Sequence, residues 1–204
     1  MQTIVPITVD DLLPTDAQEE LKECLKYRSY WYLSPFTSGS EIAQDPNDSC
    51  IKDGPQMIHE LVNMDEVCSH LADTAFDMCE NLERIFNFNI HKIHRIKANM
   101  LHQNKGAENF YHPPHIDSVN ANHISVVYYV EDSDGETLVF DKTVDESHLD
   151  LSIKHSFKPV QGTAVAFPSK VFHTSKSPVL HDTRVIINFL IEVDEPKVLD
   201  LFYK

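Results

Sequence analysis

About seventy residues of the chain hold a set of side chains that could bind a metal and an anion together: His115-Ile116-Asp117, His173, and Arg184 at the head of the apolar run Thr183 to Ile191. Two imidazoles and one carboxylate can grip an octahedral Fe(II) by one face and leave the opposite face open to ligands. An arginine nearby would then suit an acidic co-ligand, because its planar fork matches a carboxylate with two parallel hydrogen bonds.

Spacing alone does not single out the first pair. With 12 histidines and 18 aspartates in the chain, about one His-x-Asp is expected by chance, and a second occurs at His148-Leu149-Asp150. Neighbourhood separates them. The segment Asp141 to Asp150 is polar and acidic and reads as a solvated surface connection. His115 instead follows the loop Gln103 to Pro114 and precedes Ile124 to Val130, whose β-branched and aromatic content marks a strand. A shorter strand is expected within Asp134 to Phe140, and ligands at strand ends are held more rigidly than ligands on free loops.

Gly162 to Phe167 reads as a buried strand. Val171 to Thr174 and Thr183 to Ile191 read as an antiparallel hairpin joined by the polar link Ser175 to Asp182. That pairing would set His173 opposite Arg184, with Cβ atoms about 4.5–5.5 Å apart. Along the second strand Arg184, Ile186, Asn188 and Leu190 share one face, and Val185, Ile187, Phe189 and Ile191 the other. An arginine among so many apolar residues needs an anionic partner. No acidic residue stands beside it on its own face, which makes a ligand carboxylate a candidate.

These residues resemble the Fe(II)/2-oxoglutarate-dependent dioxygenases, on the prolyl-hydroxylase-like branch. The likeness spans about residues 93–194 and keeps the family's order: His-x-Asp, a Tyr-Tyr strand, a Gly-x-Thr-x-x-Phe segment, a distal His, and a basic residue about ten positions on. The resemblance implies His115, Asp117 and His173 as iron ligands, Arg184 as the partner of the distal carboxylate of 2-oxoglutarate, and Tyr129 as a further hydrogen bond to the cosubstrate. It implies Fe(II), 2-oxoglutarate and O2 as cofactors, admits ascorbate as another, and gives succinate and CO2 as co-products of a hydroxylation. Relatives often carry a tyrosine on the strand before the first ligand. Arg95 to His102 has none, and Asn99 is the residue that could take over that contact. Asp134 stands before Gly135 where a second glycine is common. The carboxylate of Asp117 argues against halogenation. Ile186, two residues past the arginine, departs from penicillin-synthase-like relatives, and the absence of a later arginine on that strand departs from DNA-repair relatives. A peptide, a protein or a free amino acid is therefore the expected substrate, with prolyl hydroxylation as the specific guess. The competing reading is a jelly-roll metal-binding protein without oxygenase activity.

The supporting elements read as helices first and strands afterwards. This suits a mainly β chain with supporting helices (α+β), a double-stranded β-helix or jelly roll braced by N-terminal helices. One domain over residues 1–204 is expected, with 1–92 as helical support and outer strands and 93–194 as the catalytic core. Thr15-Asp-Ala-Gln18 has capping-box spacing and opens a helix to about Lys26. Tyr27 to Leu33 reads as a strand, Ser34 to Gln56 as a long loop, and Asp65 to about Phe86 as a second helix with Val67, Leu71, Ala75, Met78, Leu82 and Ile85 as its apolar stripe. His91 to Lys97 alternates like a strand with a basic solvent face.

A formal net charge of −15 disfavours phosphate backbones as partners. Only five glycines are present, and no Gly-rich phosphate-cradling loop is among them. The four cysteines, 24, 50, 68 and 79, show no Cys-x-x-Cys spacing. Cys68 and Cys79 on one helix would stand about 16 Å apart, which points to reduced thiols and a cytoplasmic setting. No leader or membrane-spanning stretch is evident. His112 is expected near the mouth of the site rather than on the metal, and His155 and His181 in solvent. Phe110 and Tyr111 are expected either to line the substrate entrance or to anchor their loop.

Overall fold

The computed structural model describes residues 3–37, 50–146, 150–194 and 200–204. The second His-x-Asp falls at His148 and Leu149, outside these residues. Among the described residues eleven strands and two α-helices follow one another as β1 (Ile7–Val9), α1 (Thr15–Glu23), β2 (Tyr32–Ser34), β3 (Gln56–Asn63), β4 (Glu66–Val67), α2 (Ala72–Phe86), β5 (Ile90–His102), β6 (His123–Tyr129), β7 (Thr137–Thr143), β8 (Ile153–Phe157), β9 (Ala164–Pro168), β10 (Val171–Ser175) and β11 (Thr183–Val193). The fold is mainly β, in two antiparallel sheets. The large sheet runs β1-β9-β6-β11-β5-β3-β2, with β4 on β3, and the small one runs β10-β7-β8.

Alternation along β11 and β6 splits the interior into two packed layers. Val185, Ile187, Phe189 and Ile191, with Ile124, Val126 and Tyr128, pack with α1 and α2 through Leu21, Met78 and Leu82. On the opposite face Val127, Tyr129 and Ile186 meet Val139 and Val171 of the small sheet. This is the jelly-roll arrangement, with helices covering one face of the large sheet and the site opening from the other.

Several expectations need correction. The link Ser175 to Asp182 does not close a hairpin: β10 pairs with β7, and β11 pairs with β5 and β6. The chain crosses from the small sheet to the large one, so His173 lies opposite Val139 and Arg184 opposite Leu101. A link of this length imposes no turn geometry, and burial of both faces of β11 between longer strands outweighs local pairing.

At the first helix Pro14, not Thr15, takes the cap position, and no side chain caps it. Proline's fixed φ and missing N–H suit the helix start, so no capping box forms. The helix ends in a single π-type turn over Cys24–Arg28, which takes up the start of the expected strand and leaves only β2. The second helix begins at Ala72, not Asp65. Met64 and Asp65 both have positive φ and form the two-residue turn between β3 and β4. Val67 and Ile85 are accordingly exposed, while Leu71, Ala75, Met78 and Leu82 are buried. Cys68 lies before the helix and does not share it with Cys79. β3 and β8 were not expected at all, and β5 is an interior strand of the large sheet, between β11 and β3. No helix among the described residues is long and apolar enough to cross a membrane.

Candidate active site

His115 and His173 are held together by their own backbones. His115 N donates to His173 O at 3.0 Å and His173 N to His115 O at 2.9 Å, an antiparallel bridge that sets the two imidazole centroids 4.5 Å apart. Each Nδ1 faces a carbonyl, Pro113 O at 3.3 Å and Val171 O at 3.0 Å. A ring that donates from Nδ1 keeps its Nε2 lone pair for a metal. Asp117 completes the group: its Oδ2 lies 3.5 Å from His173 Nε2, and ligand atoms of all three residues fall within 4.8 Å of one another.

Three strands of the large sheet grip that carboxylate. From β5, Arg95 Nη2 donates to Asp117 Oδ1 at 2.9 Å. From β6, Ser125 Oγ donates to Oδ2 at 2.6 Å, and from β11 Asn188 Nδ2 does so at 3.3 Å. Burial alone would raise the Asp117 pKa. His173, Arg95, His115 and the Ser125 hydroxyl outweigh it and hold the group well below the usual carboxylate range. His115 is pushed down to about 4 by burial and then by His173, so it is a neutral nitrogen donor at pH 7. The donor set is two imidazoles and one ionised, oriented carboxylate. It fits a divalent iron with an open face.

Arg184 lines the same pocket as His115, Asp117 and His173. It is 4% exposed, its Nε donates to Gly135 O at 2.5 Å and its Nη2 to Thr137 Oγ1 at 2.7 Å. Among the described residues no carboxylate lies within ion-pair distance of it, and burial lowers its pKa to about 10. Gly135 permits this seat, because a Cβ there would stand 2.6 Å from Lys176 O and 2.8 Å from Arg184 Cδ. Tyr129 lies on the pocket face of β6, paired with Ile186. Its hydroxyl is buried beside Arg184 and Thr137 without a hydrogen bond of good geometry, and burial raises its pKa, so the phenol stays a donor. Asn99 also lines the pocket and donates to Gln56 Oε1 at 2.6 Å.

Sequence reasoning passed over Arg95, Lys97, Ser125, Gln56 and Thr137. The alternation of Arg95, Lys97 and Asn99 with Ile96, Ala98 and Met100 was the available signal, but Lys97 and Asn99 line the pocket and Arg95 turns onto Asp117. Lys97 is pushed down to about 8 by burial and then by Arg95. His112 is buried and meets Ser177 Oγ at 3.1 Å, not an exposed mouth, and burial lowers it to about 4. His155 meets Ile4 O and His181 meets Asp134, so both are half-buried and away from the pocket. Phe110 sits under Lys52 Nζ at 3.5 Å, and Tyr111 packs on Phe140; both anchor their loop.

Comparison with known proteins agrees with this geometry. Residues 99–192 match the family model of the 2OG-Fe(II) oxygenase superfamily, while no curated protein sequence matches. Among solved structures the chain is similar to an oxidoreductase of the 2OG-Fe(II) oxygenase family from Burkholderia pseudomallei, with 11% identity, TM-score 0.64, and 92% of this chain and 84% of that one covered. It is similar to the non-heme alpha-ketoglutarate-dependent epimerase SnoN of nogalamycin biosynthesis, with 10% identity, TM-score 0.58, and 93% and 78% covered. It is also similar to a Trichoplax adhaerens prolyl hydroxylase solved with a hypoxia-inducible-factor peptide, with 14% identity, TM-score 0.55, and 96% and 86% covered. Residues 99–192 thus carry the signature of the 2OG-Fe(II) oxygenase superfamily. The chain is an oxygenase that uses Fe(II), 2-oxoglutarate and O2.

Proposed function

We propose that this enzyme is a hydroxylase of prolyl-hydroxylase type, acting on a peptide, a protein or a free amino acid. His115, Asp117 and His173 serve as its iron ligands, and Arg184 receives the distal carboxylate of 2-oxoglutarate. The observation that carries the reading is the buried Arg184, which has no acidic partner among the described residues and shares one pocket with two imidazoles and a carboxylate. A buried cation without a counter-ion is costly, and a dicarboxylate that also reaches the metal offsets that cost.

When bound, the iron and 2-oxoglutarate supply oxidative decarboxylation to succinate and CO2, coupled to oxygenation of a substrate C–H bond. The chain's own groups bind and orient. His115 and His173 present fixed Nε2 lone pairs. Arg95, Ser125 and Asn188 keep Asp117 ionised and aimed. Thr137 and Gly135 hold the guanidinium in place, and the Tyr129 hydroxyl and Asn99 Oδ1 remain for the cosubstrate. A bare metal store would have no use for Arg184.

The similarity to a prolyl hydroxylase solved with a peptide supports the substrate class. The test is incubation of the Fe(II)-loaded protein with 2-oxoglutarate, O2 and a proline-rich peptide panel, read by mass spectrometry. A product heavier by one oxygen, about 16 Da, is expected. Brisk 2-oxoglutarate consumption with no modified peptide or amino acid would overturn the substrate class.

A further inference from the structure

A second set of metal-ligand side chains lies on the same large sheet, outside the pocket. His123 on β6 and Glu192 on β11 are direct cross-strand partners. On the other side of β11, β5 carries one extra residue: Arg95 pairs with Leu190 and Ile93 with Ile191, leaving His94 in a bulge. Bulges re-aim side chains, and this one turns His94 onto Glu192. His94 Nε2 stands 3.0 Å from Glu192 Oε2, and His123 Nε2 stands 3.7 Å from the same oxygen. The two imidazole centroids are 4.3 Å apart, and ligand atoms of all three residues lie within 4.8 Å of one another.

These separations bracket the spacing of about 3.3 Å between neighbouring ligands of a tetrahedral ion with bonds near 2.05 Å. The surroundings also suit an ion. Asn122 Nδ2 fixes the other carboxylate oxygen at 3.1 Å. His123 is 4% exposed, and its Nδ1 is buried without a partner. The His94 and Glu192 side chains are 20% and 25% exposed, so the site is open to solvent on one side. His123 Nε2 now meets Asn120 Nδ2 at 3.3 Å, a contact that an ion would displace.

We propose that His94, His123 and Glu192 form a second divalent-cation site of zinc type, with two nitrogen donors, one oxygen donor and water completing the coordination. Its place in the fold suggests what it does. It joins β5, β6 and β11, the three strands that deliver Arg95, Ser125 and Asn188 to Asp117, and so braces the same face of the sheet beside the active site. Zinc suits the donor set, since two imidazoles and a carboxylate are common zinc ligands. Imidazole and carboxylate bind a metal only when deprotonated, so affinity falls with falling pH.

The test is a count of Zn2+ bound by the chelator-stripped full chain, for wild type, His94→Gln, Glu192→Gln, His173→Ala and the combined His94→Gln/His173→Ala protein. Circular dichroism verifies that each is folded. Wild type is expected to hold one more zinc ion than either His94→Gln or Glu192→Gln, and His173→Ala is expected to keep an ion that the combined variant loses. Zinc should also raise the Tm of His173→Ala and leave that of the combined variant unchanged. An equal zinc count in wild type and in folded His94→Gln or Glu192→Gln overturns the proposal. So does an equal Tm response in His173→Ala and the combined variant. These readouts do not depend on oxygenase turnover, so failure here is separable from failure of the iron site.

Discussion

At Asp117 two opposing effects meet: burial favours the neutral acid, and three neighbouring strands supply donors that favour the anion. The donors win, and Arg95 is the charged one among the strand donors. Arg95→Gln keeps a hydrogen-bond donor and removes the charge, and loss of such an outer partner lowers metal affinity by about 10–100-fold. Titration of the variant with Fe(II) under anaerobic conditions checks this, and an unchanged affinity would contradict it. Arg184→Lys is expected to weaken 2-oxoglutarate binding by about tenfold or more, because one ammonium cannot reproduce the parallel donors of a guanidinium. Calorimetry in the presence of Fe(II) measures that loss. That His115, Asp117, His173 and Arg184 would meet in one pocket was legible in the sequence, because donor chemistry, strand context and family order agreed. Arg95 and Ser125 were not, since nothing local tells a strand's polar face that lines a pocket from one that meets water.

The segment after β6 shows how an element places a residue. Gly135 lets the β6–β7 connection pass against Arg184, and Asp134 beside it ties the loop before β11. Asp134 accepts from the amides of Val179, Leu180 and His181 at 2.9, 2.9 and 3.1 Å, and from His181 Nδ1 at 2.8 Å. The family's common glycine would lack all four contacts. Gly135→Ala is expected to cost about 1–3 kcal/mol by overpacking and to reduce 2-oxoglutarate affinity. Denaturant midpoints and calorimetry would reveal both effects. Asp134 adds a pH signature. Burial would raise its pKa, but those donors lower it below the ordinary 3.8. Its stabilisation, about 1–3 kcal/mol, is therefore present above about pH 4 and is lost as the pH falls below that. The Tm gap between wild type and Asp134→Asn should be wide at pH 6 and shrink on acidification. A gap that widens toward low pH would contradict this. Strand identities in this half, β8 apart, followed from β-branched runs and turn residues, whereas the partners of β10 and β11 did not, because the link between them leaves the partner strand to the packing of the whole fold.

Across the whole molecule, an acidic chain with formal charge −15 gathers Lys97 and Arg184 in one pocket, with Arg95 beside it on Asp117. That local reversal of charge favours an anionic cosubstrate over the surrounding surface. The mixed order of the sheets was only partly legible. Helices before strands suggested a braced jelly roll, but β1 pairs with β9 and β3 with β5, long-range contacts that no local pattern announces. The most direct measurement is succinate formed from 2-oxoglutarate by the Fe(II)-loaded protein under O2, in wild type and in His173→Ala. Wild type is expected to produce succinate and His173→Ala to lose at least about a hundredfold of that rate. Equal turnover in a folded His173→Ala protein would show that these side chains do not hold the iron.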